Sequence, residues 1–191
     1  SEQPIAFLTY GTLDRNTGNT TTTPDYEGFR DRYAAAKTPF FISQKFGGIA
    51  SNVFRVHART DGQDPNTQYK ITIKNLSTPL DATLSPRFDL LVRDFNDNDS
   101  NQLVLESYGG LSLDPSDDRY IARIIGDQNT FFDFDKATRA QRIVVDGDYP
   151  NASTRIRVEM APNVTLGKLP IAALPMGFRG PDHIITSGSQ A

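Results

Sequence analysis

Val53-Phe-Arg-Val-His-Ala-Arg59 decides the fold class, because its side chains alternate: Phe54, Val56 and Ala58 fall on one face and Arg55, His57 and Arg59 on the other. A period of two with one apolar face is a strand half covered by a core. Downstream, the turn signals Asp61-Gly62 and Asp64-Pro65-Asn66 precede Tyr69, Ile71 and Ile73, which alternate with Lys70, Thr72 and Lys74. The repeated pattern predicts an antiparallel hairpin. Arg87 to Phe95 sets Phe88, Leu90 and Val92 on one face and Leu91 and Phe95 on the other, as expected of a central strand covered on both sides. The polar run Asn96 to Asn101 then separates it from another strand, Leu103 to Tyr108, by the length of a hairpin loop.

Asp114-Pro115 offers a cap and a first-turn proline, and Gly126 a stop. Between them Tyr120 with Ile124 and Ile121 with Ile125 stand four residues apart, so the expectation is a short helix with one apolar face. Strands return at Arg142 to Asp146 and at Thr154 to Met160, where Ile156, Val158 and Met160 alternate with Arg155, Arg157 and Glu159. The run Asp146 to Asn151 turns the chain between them. Upstream, Ile5 to Tyr10 reads as a strand, Gly11 to Thr23 as a loop, and Pro24 to Ala36 as an amphipathic helix bearing Tyr26, Phe29 and Tyr33 and ended by Thr38-Pro39. Beyond Ala161 the Pro/Gly-rich composition loses all periodicity and suggests a tail that wraps the domain or leads to a further one. The expected class is α+β, with antiparallel or mixed β-sheets in a two-layer, sandwich-like arrangement flanked by a few short helices. The expected division is residues 1–45 as an N-terminal strand, loop and helix belonging to an outer domain, 46–160 as the α+β core, and 161–191 as the tail.

Composition removes several functions. Cysteine is absent from the 191 residues, which excludes disulfides, thiol nucleophiles and thiolate metal sites. With 20 Lys and Arg against 23 Asp and Glu, mixed along the chain, there is no field for gripping a phosphate backbone, so no nucleic-acid partner is expected. Apolar runs fall far short of a membrane span, which implies a soluble chain with no membrane partner. No secretory pattern follows Ser1, and the start without methionine suggests an excised fragment. The Asn-x-Ser/Thr triplets at Asn75, Asn98, Asn151 and Asn163 are expected by chance in an Asn-rich chain.

Catalytic material is thin. The two histidines, His57 and His183, lie far apart in sequence, and neither has a second histidine nearby. His57 on a polar strand face reads as solvated or interfacial, and adjacent Asp182 and His183 would point in opposite directions on an extended chain. Asp94-Phe-Asn-Asp-Asn-Asp99 starts like a calcium loop, but Asp99 stands where that loop needs glycine and Leu105 where it needs the bidentate glutamate. It reads as a hairpin loop. Gly47-Gly48 and Gly109-Gly110 sit in no phosphate-binding frame and read as turns, and the Gly-x-Ser-x-Gly elbow is missing. The charged faces Arg55, His57, Arg59 and Arg155, Arg157, Glu159 read as solvated, the alternative being screened polar contacts with neighbouring subunits. No catalytic, cofactor-binding or metal-binding residue is assigned, no cofactor is expected, and the chain is read as not an enzyme.

The run Arg87-Phe-Asp-Leu-Leu-Val-Arg-Asp94, then Val104-Leu-Glu-Ser-Tyr108, Leu111-Ser-Leu-Asp-Pro-Ser116 and Arg119-Tyr-Ile-Ala-Arg-Ile-Ile125 resembles the central segment of bacteriophage contractile tail sheath proteins. In that family a strand ending in arginine leads through a polar loop to V-x-E-S-[FY], a [LV]-S-[LM]-[DN]-P turn and a helix with Y-[VI]-x-x-[VI]-[IL]. Phe46 to His57 is similar to the family's entry strand, without its tryptophan. The resemblance covers roughly Phe46 to Val145. It implies a virion structural protein, assembled in the host cytoplasm, whose subunits form hexameric rings around a tail tube, meet a baseplate, and contract by rigid-body motion without bond chemistry. Its terminal arms add strands to neighbours. Two alternatives stand beside it: a virion or surface carbohydrate-binding β-module using Tyr108 or Tyr149 as an aromatic platform, and a hydrolase using the carboxylates Asp146 and Asp148.

Overall fold

A computed structural model of the chain describes residues 35–62, 64–81, 84–133 and 142–179. In chain order the elements begin with β1 (Ala35–Lys37), β2 (Phe41–Ser43), β3 (Asn52–Asp61), a single helical turn α1 (Pro65–Gln68), β4 (Tyr69–Ser77), β5 (Arg87–Asp94) and β6 (Val104–Leu111). Then follow α2 (Ile121–Ile125), β7 (Asn129–Asp133), β8 (Arg142–Asp146), β9 (Ile156–Met160), α3 (Pro162–Thr165) and β10 (Pro175–Phe178). The architecture is α+β, mostly antiparallel sheet with short flanking helices.

The first sheet is built around β3. β9 takes one edge in continuous register, from Phe54 opposite Met160 to Ala58 opposite Ile156. The other edge is shared by β1, which pairs near His57, and β2, which pairs at Phe41 opposite Phe54. Pro39 separates them because it has no N–H to give a ladder. Thr38 keeps the edge closed: its N–H donates to the Val56 carbonyl at 2.9 Å, and its hydroxyl accepts from the Val56 N–H at 3.0 Å. β10 adds to the far side of β2. The Gln44 side-chain amide imitates a strand partner for the approach to β10, donating to the Ala172 carbonyl at 2.6 Å and accepting from the Leu174 N–H at 2.9 Å.

The second sheet is the meander β4-β5-β6, with β5 in the middle as the two-sided pattern of Arg87 to Phe95 requires. The two sheets close on one core. Phe41, Phe54, Val56, Ile156 and Val158 of the first meet Phe88, Leu90, Val92 and Leu111 of the second, with Ile121 and Ile125 of α2 and Val164 of α3 completing it. Phe54 stacks on Phe41 at 4.7 Å and on Phe88 at 6.0 Å, so one ring links two strands of its own sheet to the opposite layer. Each such side chain contributes roughly 1.5–3 kcal/mol by leaving water.

Several expectations are corrected. The strand at Val53 does not form a hairpin with the strand at Tyr69: β3 pairs with β9 and β4 with β5. β3 ends at Asp61 in the first sheet, and the buried Pro65 opens the turn of α1 that leads into β4 of the second. The helix expected from Pro115 is only Ile121–Ile125. Ahead of it, Asp114 Oδ1 accepts from the Ser116 N–H at 2.9 Å and Asp117 Oδ1 from the Arg119 N–H at 2.8 Å, so aspartate side chains capture the backbone in Asx turns before a helix can start. Its end at Gly126 is as expected. A Cβ there would come within 2.3 Å of the Asn151 Cα, and φ is +107°, so both space and backbone demand glycine.

Of the helix expected over Pro24 to Ala36, Ala35 and Ala36 are strand, because pairing with β3 outweighs alanine's helical preference. The rest of it, the strand Ile5 to Tyr10, the loop Gly11 to Thr23 and the pair Asp182-His183 lie outside the described residues. The strand β7 and the ordered return α3 to β10 were not read from the sequence. Thus residues before Phe46 and after Met160 supply three strands of the β3 sheet, and Val164 and Leu174 supply core.

Candidate functional site

The acidic loop after β5 is organised by Arg93, which is 2% exposed on the face of β5 away from the core. A buried guanidinium must be fully paired, and the loop supplies the partners. Arg93 Nε and Nη2 donate to the two Asp97 oxygens at 2.8 and 2.7 Å, and Nη1 donates to Asp99 at 2.9 Å. Lys70 Nζ reaches Asp97 Oδ1 at 2.7 Å, and the Leu103 N–H donates to Asp97 Oδ2 at 2.8 Å. The Arg93 hydrogen bonds hold the Asp97 carboxyl far below the ordinary carboxylate range. Arg93 and Lys70 therefore neutralise the loop's carboxylates, and the loop is a clasp between β5 and β6. Among the described residues, no group of three or more acidic or histidine side chains is arranged to hold a metal.

A second network lies on the outer face of the β3 sheet, where Arg55 and His57 of β3 stand beside Arg157 and Glu159 of β9. Arg55 grips Glu159 with Nε at 2.8 Å and Nη2 at 2.7 Å, while its guanidinium lies 4.7 Å over the Phe40 ring. His57 Nε2 is 2.6 Å from Glu159 Oε2, and Arg157 Nη2 is 3.3 Å from His57 Nδ1. Because an arginine can only donate, Nδ1 must accept and Nε2–H must donate to Glu159, which is the neutral imidazole. Burial pushes His57 down to about 4, with Arg157 adding to the shift and Glu159 opposing it. Burial works against the charge on Glu159, yet the hydrogen bonds from Arg55 and His57 hold it below its ordinary value. The expectation of a solvated face is corrected at His57, which is 7% exposed and closed into a four-residue network, while Arg59 on the same strand face is exposed as expected; alternation fixes which face a side chain takes but not what covers it.

Glu106 is a third hub, joining β6 to the approach to β9. It accepts from Tyr108 Oη at 2.8 Å, Ser153 Oγ at 2.5 Å, Thr154 Oγ1 at 2.9 Å and Arg155 Nη1 at 3.3 Å. Burial opposes its charge and these donors outweigh it, leaving the carboxyl below its usual value. Ser153, itself buried, uses its oxygen to accept from the Arg155 and Ile156 N–H groups and so starts β9. Sequence reading singled out Arg93 and Glu106 only as parts of the resemblance, without their partners, and passed over Ser153. For Arg93 a signal existed: it shares a strand face with Leu91, and an arginine on a covered face implies an acid within reach, here four residues on.

The remaining candidates do not converge. Tyr108 gives its hydroxyl to Glu106. Tyr149 carries the Arg123 guanidinium 5.7 Å over its ring and meets Tyr120 edge-on at 6.0 Å, so its ring is already engaged. Asp146 and Asp148 are exposed. Their neighbour Asp127 is held above its ordinary value by burial, while the Tyr149 N–H, donating to Oδ1 at 2.7 Å, opposes the shift. Gly47 and Gly48 form a tight turn at φ +58° and +85° between reciprocal backbone bonds of Phe46 and Ile49. Gly109 and Gly110, expected as a turn, lie inside β6 instead, where the Gly110 N–H donates to Asp89 Oδ1 at 2.7 Å at a register shift in the β5–β6 pair. Among the described residues, no helix is long and apolar enough to cross a membrane. No family model, curated protein or solved structure matches the chain.

Proposed function

We propose that this chain is the folded part of a structural subunit of a bacteriophage contractile tail sheath, a non-enzymatic protein that assembles with copies of itself as hexameric rings around a tail tube and acts in the virion. The reading rests on the ordered resemblance from Arg87 to Ile125, and one observation carries it further. The residues that define that order have interlocking structural roles. Arg93, ending the first strand, clasps the polar loop; Glu106 of Val-Leu-Glu-Ser-Tyr ties β6 to the start of β9; Asp114 of Leu-Ser-Leu-Asp-Pro sets the turn into α2. Residues that lock strands and loops together in this way suit a subunit that moves as a body. The ionisable networks are spent on internal contacts in the same way, which favours a mechanical role over a chemical one.

Electron microscopy of the longest natural polypeptide carrying this chain tests the proposal. Tubes or stacked sixfold rings are expected. A globular monomer at every concentration would sink it, and specific glycan binding by that monomer would favour the carbohydrate-binding module.

A further inference from the structure

The β7–β8 ribbon is the one place among the described strands where β-branched residues are presented to water on a sheet that has no second layer. Its register sets Asn129 opposite Asp146 and Asp133 opposite Arg142, and among the described residues no third strand joins it. Its base is fixed: the Asp127 N–H donates to the Tyr149 carbonyl at 3.1 Å, and Asn151 Nδ2 donates to the Gln128 carbonyl at 2.7 Å. Above that base Ile143 is 67% exposed and Val145 54%. A two-stranded ribbon is marginal in water by itself, and an open apolar edge is a template for another strand.

The sequence of β8, Arg142-Ile-Val-Val-Asp146, states which strand fits. Turned antiparallel on a second copy about Val144, it places Arg142 opposite the other copy's Asp146 at both ends, Ile143 opposite Val145, and Val144 opposite itself. Each of these pairs shares a face, because Arg142, Val144 and Asp146 project to one side of β8 and Ile143 and Val145 to the other. The register is specified as well. A slip of two residues sets a charge against Val144, and a slip of four sets arginine on arginine or aspartate on aspartate. Edge strands that avoid pairing carry charges that repel a copy; these attract one. Arg142 and Asp146 are both exposed, and among the described residues neither is held in a close salt bridge, Arg157 feeling the Asp146 charge only at longer range.

We propose that the outer edge of β8 pairs antiparallel with β8 of a second copy of this chain, forming a four-stranded sheet across a two-fold axis. This does not rest on the sheath reading, since a closed two-fold contact differs from the heterologous contacts of a ring. A five-residue strand pair buries less than the roughly 1,000 Å² of a stable interface, so the dimer is weak and concentration-dependent.

Sedimentation equilibrium of the full 191-residue chain tests it with two charge reversals. Arg142→Asp and Asp146→Arg each place like charges at both ends of the pair and are expected to weaken self-association at least tenfold. An equimolar mixture of the two restores opposite charges at both ends and is expected to dimerise like the parent chain, which also shows that both variants fold. A parent chain that stays monomeric at millimolar concentration, single variants that associate as the parent does, or a mixture that fails to recover would each overturn the proposal.

Discussion

β8 and β9 are five-residue strands of similar composition with opposite fates. Ile156 and Val158 of β9 are fully buried, while Ile143 and Val145 of β8 stand largely in water. Both strands are rich in β-branched residues and both carry charges at alternate or terminal positions. The difference is what lies across from them. β9 lines β3 and faces the meander, with Phe88, Leu90 and Val92 within the same core, whereas β8 has β7 as its one strand neighbour and no opposing sheet among the described residues. Strand propensity therefore makes the ladder, and a second layer turns it into stability.

The largest expected effect breaks the comparison on the core side. Phe54→Ala removes the ring that stacks on both Phe41 and Phe88, and should cost about 4 kcal/mol of unfolding free energy in a denaturant titration. Ile143→Ala on the ribbon should change the same midpoint by less than about 0.5 kcal/mol at dilute concentration. Comparable losses at the two sites would show that the ribbon belongs to the cooperative core.

The next effect concerns the polar network on the outer face of the β3 sheet, whose buried member is His57. His57 titrates near 6.5 in the unfolded chain and at about 4 in the folded one, so the folded state favours the neutral ring. Its contribution is fully present above about pH 6.5 and is lost as pH falls toward 4, up to about 3 kcal/mol over that window. Thermal melts between pH 7 and 4 should show the decline, and His57→Gln should flatten it. An unchanged slope in that variant would place the acid sensitivity elsewhere.

The smallest effect sharpens the comparison on the ribbon side. Replacing both Ile143 and Val145 with threonine keeps β propensity while removing apolar surface from water. The melting temperature at dilute concentration should move by no more than a degree or two, since neither side chain is covered. A loss of several degrees would mean that these residues pack against the body.

Strand positions were legible where one face of the pattern is apolar and the other polar, as in β3, β4 and β9, or where both faces are apolar in a short run, as in β5. Partners were not: Asp61-Gly62 is a strong turn signal, yet β3 and β4 part there because Phe54 and Ile73 serve different layers. The helix before Gly126 was misjudged at its start, since Asp114 and Asp117 are as good at holding Asx turns as at capping a helix. β7 escaped notice because Thr130-Phe131-Phe132 is too short to alternate visibly, and β10 because Pro175 and Gly177 disguise an edge strand.

The sequence by itself determined the α+β class, the central place of β5, the stop at Gly126, and the failure of the calcium-loop pattern, all of which follow from local spacing, turn chemistry and residue type. Only the tertiary structure decided that His57 is buried and neutral, that Glu106 ties β6 to β9, and that Ile143 and Val145 are left uncovered. These depend on which distant strands become neighbours. A period of two specifies a face, but the burial, pairing and charge state of that face belong to whatever the fold lays against it.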